Sequence, residues 1–329
     1  MKNISKIGEK PVFKVLKTLA SLIILIVAFG ILTPRFLTID NILTITLQMA
    51  IYCTLALGIC YVLLVGGAEL SAGSIVGLTA MTFVVTMRAD IPFVLSLLIT
   101  LAVGLVIGLA NGIMVTKMHL IPFIATLGMQ YIGRGFCQII ANGQTISLRS
   151  AVKSDELYNA LRFIGSGKVF GPLPMATVIV VVMLVIHYII LNKSTFGRKV
   201  YAVGSNAEAA RLSGIKADKV IIVCYLISAL MATIAGLLFS MRLTVAQPAG
   251  GEGYEFEGIA ACVIGGISMM GGEGSVIGAL IGASTLAVMR NGMNLLSINT
   301  FWQNVVTGVI IIVAVYLDIR RRQKEATRL

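Results

Sequence analysis

The sequence predicts an all-α integral membrane protein with about ten transmembrane helices, eight being the alternative, and with glycine-rich helix breaks. Three observations predict this class. Of 329 residues, 57% are apolar and only 12% charged, about half the charged share of an ordinary soluble domain. The apolar residues fall in nearly charge-free blocks at 18–33, 93–110, 174–191, 220–239 and 303–317, and a helix needs about 20 such residues to cross the hydrocarbon of a bilayer. The basic residues gather at the margins of these blocks. Lys2, Lys6, Lys10, Lys14 and Lys17 precede the first; Arg320, Arg321, Arg322, Lys324 and Arg328 follow the last. A net charge of +12 placed in this way fits the positive-inside rule. It does not fit nucleic-acid binding, because no aromatic-plus-basic module interrupts the apolar blocks.

The elements follow in order. A basic segment and then an apolar one resemble a signal peptide, but Thr33-Pro34-Arg35 stands where a small-residue cleavage site belongs, so 18–33 reads as an uncleaved first span. With the N-terminus in the cytoplasm, span 2 covers 45–65 and ends at the break Gly66-Gly67-Ala68-Glu69-Leu70-Ser71-Ala72-Gly73-Ser74. Spans 3, 4 and 5 cover 72–87, 93–113 and 121–141. Residues 142–173, the longest polar stretch, form an external loop before span 6 at 174–191. Residues 192–219 form a cytoplasmic loop, followed by span 7 at 220–241. Span 8, at 257–270, ends at a second break, Gly271-Gly272-Glu273-Gly274; spans 9 and 10 cover 275–289 and 303–317. The whole of 1–329 then forms a single transmembrane domain with both termini in the cytoplasm. The cytoplasmic segments hold 17 Lys and Arg, the external ones 8. Glycines recur every fourth residue at Gly104, Gly108 and Gly112 and at Gly274, Gly278 and Gly282, a spacing that lets another helix approach closely in lipid.

Enzymatic signatures are absent from the sequence. The string nearest a phosphate loop, Gly165-Ser166-Gly167-Lys168-Val169, has Arg162 and Val169 where glycine and a hydroxyl residue are needed. No metalloprotease helix, nucleophile elbow or paired His/Cys ligand set occurs. The expectation is no catalytic residue, no metal and no cofactor bound by this chain. Cys53, Cys60, Cys137, Cys224 and Cys262 lie in apolar segments without a C-x-x-C pair and read as small buried side chains.

The cytoplasmic loop is the most informative stretch. Ser205 followed three residues later by Glu208 reads as a capping box. Ala207, Ala209, Ala210, Arg211 and Leu212 favour helix, and Gly214 suits a left-handed C-cap. Together they predict a two-turn helix on the membrane surface, far too short to span.

The string Glu208-Ala209-Ala210-x-x-x-Gly214 resembles the EAA-x-x-x-G signature of bacterial ABC importer permeases. The loop from Thr195-Phe196-Gly197-Arg198 to Gly214-Ile215 is similar to that of the ribose-type sugar permeases, a family with ribose, galactose and xylose members. The first break is similar to their GG-x-DLS-x-GS motif, with Glu69 in place of the usual aspartate. Asn111-Gly112, Pro122-Phe123-Ile124-Ala125-Thr126-Leu127-Gly128, Arg134-Gly135, Gly251-Glu252-Gly253-Tyr254-Glu255, Val263-Ile264-Gly265-Gly266, Gly271-Gly272-Glu273-Gly274-Ser275 and Phe301-Trp302-Gln303 extend the likeness, in order, over nearly the whole chain.

The resemblance implies a sugar-importing permease subunit in the bacterial cytoplasmic membrane. Its implied partners are a cytoplasmic ABC ATPase, which hydrolyses the ATP, an external solute-binding protein, and a second permease copy, identical or paralogous; lipid surrounds it. Ser205, Asn206, Glu208, Ala209, Ala210, Arg211 and Gly214 are the expected ATPase contacts. Ser71, Ser74, Asn111, Phe123, Thr126 and Arg134 join Glu69 as candidate pathway or gate residues. An acid in a helix break at membrane depth needs a partner or water. Glu69 is thus either a gate or a structural carboxylate capping the broken backbone, with Arg134 a candidate partner; Glu273 has the same two readings. The acids Glu252, Glu255, Glu257, Asp155 and Glu156 are candidate contacts for the binding protein. The rival reading is an ion-coupled secondary transporter with Glu69 and Glu273 as coupling acids, which has no use for an ATPase-docking helix.

Overall fold

A computed structural model describes residues 11–326. The terminal basic clusters fall partly on residues 1–10 and 327–329, outside the described residues. Among the described residues the regular structure is helical apart from four two-residue strands. In order, it runs α1 (Pro11–Leu32), α2 (Ile39–Leu64), α3 (Ala72–Arg88), α4 (Phe93–Thr116), α5 (Pro122–Ala141), β1 (Ile146–Ser147), α6 (Leu148–Ala151), α7 (Asp155–Ser166), β2 (Lys168–Val169), β3 (Leu173–Pro174), α8 (Met175–Lys193), α9 (Thr195–Ser205), α10 (Ala207–Leu212), α11 (Ala217–Leu243), β4 (Val245–Ala246), α12 (Tyr254–Ile264), α13 (Val276–Leu295) and α14 (Thr300–Ala326).

The expected count of ten transmembrane helices, or eight, is corrected. Among the described residues only five helices, α2, α4, α8, α11 and α13, are both long and apolar enough to cross a membrane. Three further apolar helical stretches, at 18–32, 72–88 and 300–313, are shorter. The reason is local. Between the first break and Asp90, α3 has room for only 17 residues. The predicted eighth span is an 11-residue helix, α12, with Glu255 and Glu257 in its first turn. The predicted fifth span becomes a 20-residue α5, but it carries Gln130, Arg134 and Gln138.

The core is built around α2 and α11. From Ala50 to Leu64 almost every residue of α2 is buried, which is why its sequence is apolar on all faces rather than on one stripe. The three glycines of α4 sit against α11: an added Cβ at Gly104 meets Thr233, at Gly108 Ala229, and at Gly112 Ile222. Gly278 and Gly282 of α13 likewise face the backbone of α12 at Gly265 and Ala261. The first row and two members of the second are therefore sites of close approach; Gly274 lies before α13 and meets Ile267 of the loop. By contrast α4, α5 and α8 turn rows of Val, Leu and Ile outward, as a lipid-facing surface requires.

Caps fix the helix ends. Ser275 Oγ accepts from the Gly278 N–H at 3.0 Å to start α13, and Ser154 Oγ accepts from Leu157 N at 3.2 Å to start α7. Residues 142–173 fold into a small lid on one end of the bundle. There β1 pairs antiparallel with β4, Ile146 opposite Ala246, and α7 packs on α11 and α8. α11, with 27 residues, is about 40 Å long at 1.5 Å per residue. It separates this lid end from the end that carries the 192–219 loop. The five cysteines are buried and unbridged.

Candidate functional site

Two glycine breaks and the 192–219 loop meet at one point. Gly272 N–H donates to the Leu64 carbonyl at 2.9 Å, joining the second break to the end of α2. Gly204, in the last turn of α9, lies so close that a Cβ there would strike the Leu64 oxygen and the Gly272 nitrogen. A Cβ on Gly271 would meet Gly204 O and Gly66 N, each at 2.8 Å. Gly66, Gly271 and Gly272 have φ of +77°, +85° and +77°, a left-handed region open to glycine at little cost. Tyr201 of α9 donates to Gly274 O at 3.0 Å. Burial pushes its phenol up to about 12, so it stays a donor. The glycines that looked like helix breakers in sequence are thus a backbone-on-backbone junction.

From that junction α10 projects outward. Its N-cap is Asn206, whose Oδ1 accepts from Ala209 N at 2.9 Å. Ser205 instead ends α9 and donates to Tyr201 O at 2.9 Å. The expected capping box from Ser205 to Glu208 is corrected: α9 runs on through Ser205, so the extended residue that a cap requires comes one position later. Gly214 takes φ +81° and Ile215 N–H bonds back to Ala210 O at 3.0 Å, the expected left-handed stop. Ala210 is buried against its own chain. Glu208, Ala209, Arg211 and Gly214 are exposed, and Leu212 is 86% exposed. The sequence reading counted Leu212 only as a helix former; a large apolar side chain at the end of a short surface helix was the available signal of a contact. Asp218, in the first turn of α11, joins the knob to the bundle. Its carboxylate takes Arg211 Nη2 at 2.9 Å and Lys117 Nζ, beyond the end of α4, at 2.9 Å.

Glu69 lies fully buried in the first break. Its Oε1 accepts from Ser71 N at 2.8 Å and Ser71 Oγ at 2.6 Å. Asn111 of α4 donates to Ser71 Oγ at 2.8 Å, and Ser74 Oγ donates to Ser71 O at 2.8 Å. The structure thus brings Glu69, Ser71, Ser74 and Asn111 together at the start of α3, where a carboxylate satisfies a free helix N–H and meets the positive end of the dipole.

The three α5 candidates lie elsewhere. Thr126 Oγ1 bonds its own helix at Pro122 O, and Phe123 is half exposed. Among the described residues no ion pair joins Arg134 to Glu69. Arg134 Nη1 instead donates to Gly250 O at 2.5 Å and Pro248 O at 3.3 Å, pinning the loop between β4 and α12.

The acids expected at an external contact divide. Glu252, Asp155 and Glu156 are exposed. Glu255 and Glu257 are only 1% and 3% exposed and face inward. Glu255 takes Gln130 Nε2 at 2.6 Å, and Glu257 is ion-paired with Arg290 of α13. The sequence reading missed this pair because its members are 33 residues apart; an arginine inside an apolar glycine-rich helix was the signal.

Comparison with known proteins gives one family. Residues 41–315 match the family described as the permease component of the branched-chain amino acid transport system. Among similar proteins, the ribose import permease protein of Bacillus subtilis (strain 168) is 36% identical over 305 residues, 93% of this chain and 92% of the relative. A probable ABC transporter permease protein of Sinorhizobium fredii is 36% identical over 298 residues, 91% and 87% of the two chains. The D-allose transport system permease protein of Escherichia coli (strain K12) is 33% identical over 299 residues, 90% and 89%. No solved structure matches the chain. A family match over most of the chain, relatives at this identity and a bundle of membrane-crossing helices have one meaning: the chain belongs to this family of transport-system permeases and is a multi-pass membrane subunit of the ABC importer class.

Proposed function

We propose that the chain forms the translocation pathway for a sugar or sugar-like solute and is driven by a separate ATPase that docks on α10. The ribose and D-allose names of the relatives favour a sugar over a branched-chain amino acid. The glycine junction carries the mechanical part. An exposed knob is tied through Gly204 to the end of α2 and to both helix breaks. Displacing α10 therefore displaces the Glu69 turn and the start of α13, because close-packed backbone has no slack to absorb the motion. An ion-coupled carrier has no use for such a lever.

In this reading loop 192–219 and both chain termini are cytoplasmic, and the lid formed by 142–173 is external, as the charge distribution expects. A second permease copy completes the pathway, and a solute-binding protein delivers the sugar at the lid, with Glu252, Asp155 and Glu156 available to it. Glu208, Ala209, Arg211, Gly214 and, above all, Leu212 are the outward contacts on α10; Asn206 caps it, and Ser205 and Ala210 hold it to the chain. Glu69, Ser71, Ser74 and Asn111 form the hinge at the pathway's break. Phe123, Thr126 and Arg134 act from α5, Arg134 by holding the 247–251 loop.

Leu212→Asp tests the lever. The side chain is exposed, so the bundle is expected to fold and extract normally, while a charge in a fitted apolar contact costs about 1–3 kcal/mol or more. The expected result is at least tenfold loss of ATPase on co-purification together with loss of sugar uptake. Normal co-purification and uptake would remove α10 as the docking element.

A further inference from the structure

At the lid end, between α2, α11 and the start of α14, lies a polar chamber of ≈ 270 Å³. Its walls include Gln48 and Tyr52 of α2, Arg242 of α11, Tyr254 of α12, Arg290 of α13 and Gln303 of α14. The coupling machinery uses none of these side chains.

The wall is a built polar surface with bonds left to make. Arg242 Nη1 donates to Leu47 O at 3.2 Å, and among the described residues no carboxylate pairs with it. Arg290 is held by Glu257, yet its Nε, the Oε2 of Glu257 and the Oε1 of Gln48 are all buried without a hydrogen-bond partner. Gln303 spends its amide on Asn294 Oδ1 at 2.7 Å and Ile298 O at 3.0 Å, and so is fixed in place. Tyr52 and Tyr254 meet edge to face at 5.7 Å. A second, larger hollow of ≈ 750 Å³ shares Tyr254, Arg290 and Thr300 with the first and has Glu257 in its lining.

We propose that this chamber is a binding subsite, within a single copy of the chain, for a small polyhydroxylated ring solute. The proposal rests on the reading of the chain as a sugar permease. Arg242 and Arg290 bring donors to the chamber and Gln48 brings an acceptor without a partner, while the unpaired Oε2 of Glu257 belongs to the adjoining hollow. A ring hydroxyl both donates and accepts, so adjacent hydroxyls satisfy both kinds at once. The two tyrosine rings offer a surface for the C–H face of the sugar. A site of this kind, a few placed polar groups beside aromatic walls, is the usual form of a small-solute pocket. A branched aliphatic side chain would leave the polar atoms unpaired.

The test uses the intact importer, permease with its ATPase and solute-binding protein, in vesicles, with labelled D-ribose, D-allose and L-leucine as probes. Gln48→Leu is the informative variant, because the oxygen it removes has no partner in the fold. Arg242→Gln is the second. Both are expected to keep ATPase co-purification and thermal midpoint, and to lower sugar uptake about tenfold or change the ribose-to-allose ratio by that factor. Wild-type rates and an unchanged ratio in both variants would overturn the subsite. If the wild-type importer carries leucine and neither sugar, the sugar reading fails first and the subsite with it.

Discussion

The two ends of the bundle are built from different parts of the protein's chemistry. At the coupling end the contacts are backbone to backbone: Gly204 against Leu64, Gly272 bonded to Leu64, Gly271 against Gly66. At the lid end charged and amide side chains carry the contacts around the hollows: Glu257 with Arg290, Gln130 with Glu255, and Arg134 on the backbone carbonyls of Pro248 and Gly250. Backbone contacts leave no rotamers to turn, so motion imposed on α9 and α10 passes on undiminished. Side chains around a hollow can reorient, and they offer donors and acceptors to a solute. In the function proposed above, the contrast gives force to one end and recognition to the other. Three experiments break or sharpen it.

The largest effect is expected at the junction. Gly204→Ala places a Cβ on the Leu64 oxygen, where only a shift of main chain relieves the clash. Overpacking of this kind costs typically about 1–3 kcal/mol, and here α9 must separate from α2 to avoid it. Uptake is expected to fall at least a hundredfold, while a Gly214→Ala change nearby, with open space around it, costs only the strain of its left-handed backbone. Wild-type uptake in Gly204→Ala would show that the junction transmits nothing.

At the lid end the effect is expected on stability rather than on uptake. Glu257→Gln leaves the Arg290 guanidinium, 18% exposed, without its counter-charge. Breaking one member of a buried pair costs about 3–5 kcal/mol, which a thermal melt of the purified permease reads directly. The double variant Glu257→Gln with Arg290→Gln is expected to recover much of that loss, because it is the stranded charge that is costly. A single variant as stable as the wild type would mean that the pair is hydrated, not buried.

The smallest effect on stability is expected from Asp218→Asn. Its two ion pairs are largely exposed, and such pairs contribute about 0–1 kcal/mol. The melting point should hardly move. Uptake per ATP hydrolysed is expected to fall several-fold, because Asp218 is the side-chain tie from α10 to α4 and α11. Equal coupling in variant and wild type would leave the whole lever to the glycines.

Much of the short helix in the 192–219 loop was legible in the sequence, because its signals are local. Helix-forming residues followed by Gly214 placed a short helix within a few positions of where it lies, and only the cap was off by one residue. The pathway candidates were legible in part. Ser71, Ser74 and Asn111 do surround Glu69, but Arg134 serves a different loop, since nothing in a sequence states which carbonyls a guanidinium will reach. The span count failed for a related reason. Hydropathy reports how apolar a segment is, not where its helix stops, and in the glycine breaks the stop is set by contacts with distant backbone.

By itself the sequence determined that this protein lives in a membrane, that it belongs to a family of importer permeases, and that a polar knob interrupts its apolar course. Composition, charge placement and capping decide those matters over a few residues or over the whole chain. Only the tertiary structure decided that both glycine breaks meet the knob at Leu64, that Glu257 faces Arg290 rather than a partner protein, and that a polar chamber opens beside them. Residues 64 and 272, or 257 and 290, come together because packed helices exclude every other arrangement, and that selection is a property of the assembled bundle.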